Sequence, residues 1–269
     1  MKLAFTKMTG AGNDFVVVDN RHKTLNLSRE QIEKLCDRHF GIGADGLLAI
    51  EPGENGADFR MRYYNSDGGE AEMCGNGARC FARYARAFKA DADALSFDTP
   101  AGRIHARFIG NDVEINLTAP QGLDLGRKVK TAHGVVSVDS VNTGVPHAVL
   151  FVDNAAEVPI VEWGRELRRH EAFAPKGTNV NFAQLTPSGE ILVRTYERGV
   201  EDETLACGTG VTAVGIISHL AHNAPLPVRI KVKGGDTLQV NFKREGDTLR
   251  DVTLRGPATI VFQGEIDLA

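Results

Sequence analysis

The chain has 269 residues, 42% of them hydrophobic, and a formal net charge of −4, enough to bury one large core or two medium ones. That balance leaves no basic footprint for nucleic acid and no lysine/arginine stripe for an anionic membrane. The opening "MKLAFTKMTGAGNDF" lacks the apolar centre of a signal peptide, and no apolar run reaches 18 residues, so a cytoplasmic protein with reduced thiols is expected.

In chain order, "GAGNDFVVVDN" (10–20) runs into a strand-like apolar stretch. "SREQIEKLCDRHF" (28–40) reads as a helix with Cys36 on its apolar face. "GIGADG" (41–46) satisfies G-x-G-x-x-G. A helix precedes it and the strand-like "LLAI" follows, which reverses the order a dinucleotide site requires, so that function is rejected. Phe59, Met61 and Tyr63 alternate as a strand. "EMCGNGARC" (72–80) then sets a thiol directly before Gly-Asn-Gly, and a helix is predicted over 76–89. Phe81, Tyr84, Ala85 and Phe88 form its apolar face. Arg79, Arg83 and Arg86 read as a solvated face, and Cys80 reads as core. Strands "LSFD", "RIHARF" and "VEINL" follow, joined by turn signals.

The chain then repeats itself. "GVPHAVLFVDN" (144–154) echoes residues 10–20 at an offset of 134, and "YERGVEDETLACGTG" (196–210) echoes "YNSDGGEAEMCGNG" (64–77) with the cysteines 133 apart. Ile191, Val193 and Thr195 alternate before Cys207, as the earlier strand does before Cys74. The helix predicted over 208–221 is apolar almost all round, which calls for a helix enclosed by sheet. "VRIKV", "TLQVNF" and "TLRDVTL" follow as strands. One repeat at so long a period is a duplicated domain. The predicted fold is α/β (α+β): two pseudo-symmetric domains, 1–118 and 119–269, each with antiparallel-rich strands wrapped around a central helix.

A cysteine at a helix start sits beside unpaired backbone N–H groups and the positive end of the macrodipole, which favour thiolate. The same N–H groups can hold a carboxylate, and the flanking glycines let a ligand come close. Two such domains facing one another would place two thiols about one anion. With an amino-acid carboxylate there, one thiolate removes the α-proton and the opposite thiol returns a proton to the other face. None of the four cysteines forms a C-x-x-C pair and no H-E-x-x-H occurs, so no metal and no cofactor are expected. Two rivals stand beside this: a proline- or hydroxyproline-type racemase with the same two-thiol logic, and a tandem-repeat amino-acid-binding or redox-switch protein. Charged residues suited to a second head group argue against the racemase.

"GNDFVVVD", "GIGADG", "YNSDG", "CGNGARC", "TGVPHAV", "GTNVNF", "YERGVEDETLACGTG" and "GPATIVFQGEI" together resemble the diaminopimelate epimerase family over essentially the whole chain. The resemblance implies a cofactor-independent epimerase of lysine and peptidoglycan precursor synthesis, acting on LL- and meso-diaminopimelate in a cleft between the domains. It implies that Cys74 and Cys207 are the acid/base pair, and that Gly75, Asn76, Gly208 and Thr209 grip the reacting carboxylate. It implies further that Asn13, Asn65, Asn179, Glu197 and Arg198 hold the remaining polar groups, with His147 a candidate neighbour of a thiol. It also implies a last strand, from about Gly256, packed back on the first domain, and it admits a homodimer. Val145 stands where some members carry Asn, and Gly46 where some carry Gln, so neither position counts as a ligand.

Overall fold

The computed structural model describes residues 2–89 and 92–268. The chain forms two compact units, Met1–Asn116 with Gly256–Ala269, and Leu117–Arg255.

In the first unit, β1 (Lys2–Gly10) and β2 (Asn13–Asp19) pair antiparallel across Ala11-Gly12, whose φ values of 56° and 98° give the twist a two-residue hairpin needs. The helix α1 (Arg29–Cys36) starts at a capping box made by Ser28 and Gln31. Next, β3 (Gly46–Pro52) runs parallel to β2, and β4 (Phe59–Asn65) returns antiparallel to β3. A short β5 (Glu70–Ala71) leads into α2 (Gly75–Ala85), followed by β6 (Ala94–Thr99), β7 (Gly102–Ile109) and β8 (Asp112–Asn116).

The second unit follows the same plan. It comprises β9 (Gln121–Thr131), β10 (Gly134–Asn142), β11 (Pro146–Phe151), α3 (Ile160–Arg168), β12 (Asn179–Leu185) and β13 (Ile191–Glu197). Then come β14 (Asp202–Thr204), α4 (Gly208–His222), β15 (Val228–Lys231), β16 (Thr237–Glu245) and β17 (Thr248–Pro257). A final strand, β18 (Thr259–Asp267), pairs antiparallel with β1. Strand for strand the pairings correspond. β2 and β3 are parallel as β11 and β12 are, β4 and β6 as β13 and β15 are. β18 flanks β1 as β9 flanks β10. This is a duplicated, strand-rich α/β fold.

Each unit wraps its strands around one helix. The α4 helix is buried without a break from Gly210 to Ser218 and packs on β10, β11, β12, β15 and β16. The all-round apolar sequence therefore means what it predicts. The α2 helix packs on β1, β2 and β8, with Phe81 set against Phe97 at 4.6 Å between ring centres. It ends at Ala85, and Arg86–Phe88 tightens into a 3-10 turn. One expectation fails here. Arg79 is not on a solvated face: it is 0% exposed and heads the fully buried side chains by volume. It lies four residues after Gly75, so its side chain folds back over the first turn of α2 rather than outward with the half-buried Arg83 and Arg86. No sequence pattern pointed to the helix Ile160–Arg168. That helix buries Ile160, Gly164 and Leu167 along one stripe, with Gly164 flush against the Tyr196 side chain. No helix among the described residues is long and apolar enough to cross a membrane.

Close packing sets a limit on α4. A Cβ on Gly215 would stand 2.7 Å from Val240 Cβ. Gly215→Ala should thus lower stability by about 1–3 kcal/mol through overpacking, less the ~1 kcal/mol that helix propensity returns. Urea unfolding of the two proteins checks this, and a stabilised variant would mean that the helix has room to move.

Candidate functional site

The predicted residues fall into two sets, one in each unit. The first set gathers at the N-terminus of α2. Cys74 is the N-cap, with extended φ/ψ of −138° and 123°, and its sulfur accepts from the Gly77 N–H at 3.5 Å. Gly75 and Asn76 begin the helix and are buried. Asn13, at the start of β2, is tied to them: Asn76 Nδ2 donates to Asn13 Oδ1 at 2.6 Å, and Asn13 Nδ2 donates to Asp45 Oδ2 at 2.9 Å. Arg79 Nη2 donates to Asn76 Oδ1 at 2.8 Å from the other side. Asn65 is exposed at the end of β4, opposite Gly46, which in turn pairs with Phe15. Asn65 therefore sits at the same end of the strands as Asn13. A Cβ on Gly46 would collide with the Tyr64 carbonyl oxygen, which leaves no room for a ligand side chain at that position.

Asp45 is itself held. Arg38 Nη2 donates to Asp45 Oδ1 and to Asp14 Oδ1, both at 2.8 Å, and Lys7 Nζ lies 2.7 Å from Asp14 Oδ2. Burial would raise the Asp14 pKa, but the hydrogen bonds and charges of Arg38 and Lys7 outweigh it and hold the carboxyl at about 2.

The second set gathers at the N-terminus of α4. Cys207 is the N-cap, with φ/ψ of −120° and 110°, and its sulfur lies 3.4 Å from Thr209 Oγ1. Thr209 Oγ1 meets His147 Nε2 at 2.9 Å, and His147 Nδ1 meets Asn181 Nδ2 at 3.2 Å. The Asn181 amide is oriented by its neighbours: Nδ2 donates to the Ala148 carbonyl at 2.9 Å, and Oδ1 accepts from Thr195 Oγ1 at 2.9 Å. His147 Nδ1 is thus the acceptor, and its hydrogen sits on Nε2, facing Thr209. Thr209 Oγ1 therefore accepts from His147 and stands within hydrogen-bond reach of the Cys207 sulfur. Burial, reinforced by the charge of Arg198, pushes the His147 pKa down to about 3, so the ring is neutral.

Gly210 makes this contact possible. A Cβ there would lie 2.5 Å from Asn181 Oδ1 and 3.3 Å from His147 Cε1. The second glycine of "CGTG" admits protein side chains to the helix start, where the sequence suggested room for a ligand. Beside it, Asn179 pairs with His147 across β11 and β12, and its Oδ1 accepts from the Arg198 backbone N–H at 2.8 Å. Arg198 Nη1 donates to the Lys176 carbonyl at 3.2 Å. Glu197 ends β13, half-buried.

The other two cysteines differ in kind. Cys36 and Cys80 are 3% and 0% exposed, and burial pushes each thiol up to about 12. Both lie in the core, as the sequence predicted, and burial there favours the protonated thiol. Asp45, Arg79 and Asn181 were missed. Asn181 had a readable signal: it follows Asn179 by two in "NVNF", the spacing that puts two asparagines on one face of a strand.

His147 ties this geometry to pH. An unfolded histidine takes its proton near 6.5, whereas the folded ring holds off protonation to about 3. Between those values the unfolded chain binds more protons, so stability falls as pH drops through that window. The site contributes at most about 1.4 kcal/mol per pH unit. His147→Gln should remove that slope, seen as a smaller difference in unfolding free energy between pH 6.5 and 4 than the wild type shows.

A family model described as "Diaminopimelate epimerase" matches residues 5–121 and 140–261. Diaminopimelate epimerase of Aquifex aeolicus (strain VF5) is 42% identical over 278 aligned positions, covering 98% of each chain. That of Hydrogenobaculum sp. (strain Y04AAS1) is 42% identical over 275, covering 97% of this chain and 98% of its own. Among solved structures, a phenazine biosynthesis protein of the PhzF family from Bacillus anthracis superposes with a TM-score of 0.76 at 16% identity, covering 99% of both chains. At that identity the likeness speaks for the fold.

Proposed function

The chain belongs to the diaminopimelate epimerase family, and on that premise we propose that it interconverts LL- and meso-2,6-diaminopimelate by moving a proton at one α-carbon. The observation that carries the reading is the pair of equivalent N-cap cysteines, Cys74 and Cys207, each at the first turn of the helix its unit encloses. The thiolate of one removes the α-proton. The C–H electron pair passes into an enolate-like carboxylate, which the first-turn N–H groups of Gly75, Asn76, Gly208 and Thr209 stabilise. The thiol of the other delivers its proton to the opposite face. One C–H bond breaks and one forms, and the two sulfurs exchange protonation states, to be reset by solvent before the next turnover.

The two sulfurs are tuned differently. Cys74 accepts from a backbone N–H, and Cys207 faces the Thr209 hydroxyl, whose oxygen also meets the neutral His147. Asn13, Asn65, Asn179, Glu197 and Arg198 hold the substrate's remaining polar groups: Arg198 offers a planar fork to the distal carboxylate, and Glu197 offsets the distal ammonium. The same reading assigns the enzyme to lysine and peptidoglycan precursor synthesis in the cytoplasm, with a homodimer as the assembly to measure by light scattering.

Incubation with LL-diaminopimelate in deuterated water should give the meso isomer with deuterium at Cα. Cys74→Ala and Cys207→Ala should each abolish inversion, while Cys36→Ala and Cys80→Ala should change stability by roughly 0–2 kcal/mol and leave turnover standing. Near wild-type inversion by a Cys74 or Cys207 variant would sink the two-base assignment. Faster turnover of proline or hydroxyproline than of diaminopimelate would give the chain to the racemase reading.

A further inference from the structure

Arg79 is a cation in an unfavourable place. It is fully buried, and it lies within the first turns of α2, where the macrodipole is already positive and a basic side chain is repelled. Its guanidinium spreads over carbonyl-type oxygens of its own unit: Asn76 Oδ1 at 2.8 Å, the Gly75 carbonyl at 3.3 Å and the Pro257 carbonyl at 3.4 Å.

The contacts also carry a direction. Guanidinium has donors and no acceptor, so the Asn76 atom facing it is oxygen. Asn76 then offers nitrogen to Asn13, whose atom at that contact, 2.6 Å away, is oxygen. Asn13 in turn offers nitrogen to Asp45, and a carboxylate only accepts, which requires the same assignment from the opposite end. A cation at one end and an anion at the other thus fix the orientation of two amides in series. With either end neutral, both amides could turn over together.

We propose that Arg79 is a positioning residue that, through Asn76 and Asn13, holds two side-chain amides in one orientation, each nitrogen donating one hydrogen within the chain and offering its second to a carboxylate oxygen of the substrate at the Cys74 half-site. The proposal rests on the reading above, in which the first turn of α2 grips the reacting carboxylate. A flipped amide would put an oxygen, which only accepts, in the place of that donor nitrogen. Lysine could supply the charge but not a fork that spans Asn76 Oδ1 and the Gly75 carbonyl together.

The test uses full-length protein and two independent readouts. The first needs no substrate. In ¹⁵N-labelled wild type, one side-chain N–H of Asn13 and one of Asn76 should exchange with solvent slowly. In Arg79→Gln, whose amide can face Asn76 either way round, both should exchange faster, including Asn13, which Arg79 does not touch in any bond described above. Backbone N–H groups of α2 should keep their protection. The second readout is kinetic: Arg79→Gln should raise KM for LL-diaminopimelate about tenfold or more, the loss expected for one charge-assisted hydrogen bond, with kcat changed much less. Arg79→Lys should recover less than half of that loss.

Unchanged KM and unchanged Asn13 exchange in Arg79→Gln, with the wild type active, would overturn the proposal and leave the function standing. An inactive wild type would overturn the function, and the exchange experiment would still decide the Arg79 chain. Should Arg79→Gln fail to fold, fast exchange at both asparagines of the wild type would be enough to overturn it.

Discussion

A helix sealed on its flanks by apolar residues can meet ligand only at its ends, and at its start it presents N–H groups that have no partner within the helix. That constraint organises both units. In each, strands enclose one helix, and the residue at its N-cap is a cysteine rather than the serine, threonine or aspartate that would satisfy those N–H groups best. Cys74 takes up one of them weakly, through sulfur at 3.5 Å, and Cys207 turns instead to a hydroxyl. The weaker cap is a cost in stability, and it leaves the first turn able to serve an anion.

The duplication supplies two helix starts from one plan, yet the surroundings have diverged. The first unit surrounds its helix start with charge: Arg79 on one side, and Asp45, Arg38, Asp14 and Lys7 on the other. The second lines its own with a hydrogen-bonded chain of neutral groups, Asn181, His147, Thr195 and Thr209, with the charge of Arg198 acting on His147 from beside it. Each thiol therefore answers to its own environment, charged around Cys74 and hydroxyl-lined at Cys207.

Much of this was legible in the sequence, for physical reasons. Strand alternation before each cysteine and the uniformly apolar α4 follow from burial alone, and burial is what a hydropathy pattern records. The echo of "CGNG" in "CGTG" marked the two helix starts. What stayed hidden were groups whose partners lie far along the chain. Arg79 looked solvated because a helical pattern shows which residues share a side, not which side faces carbonyl groups. Asp45 sat in a glycine-rich loop that resembled a phosphate motif, and its meaning depends on Asn13, across a strand pairing that periodicity does not encode. The helix α3 was missed because its buried stripe is only three residues, one of them Gly164.

The pairing of β18 with β1 has a consequence for how the protein is made. The second unit is continuous in the chain and can close as soon as it leaves the ribosome, whereas the first waits. Until the last strand is synthesised, β1 pairs only with β2 on one side and offers an open edge on the other, the kind of surface on which nascent chains associate wrongly. The first half to emerge is thus the last to be completed. Losing β18 would expose the free edge of β1 and so damage a unit whose other strands lie more than a hundred residues away, the unit that carries Cys74.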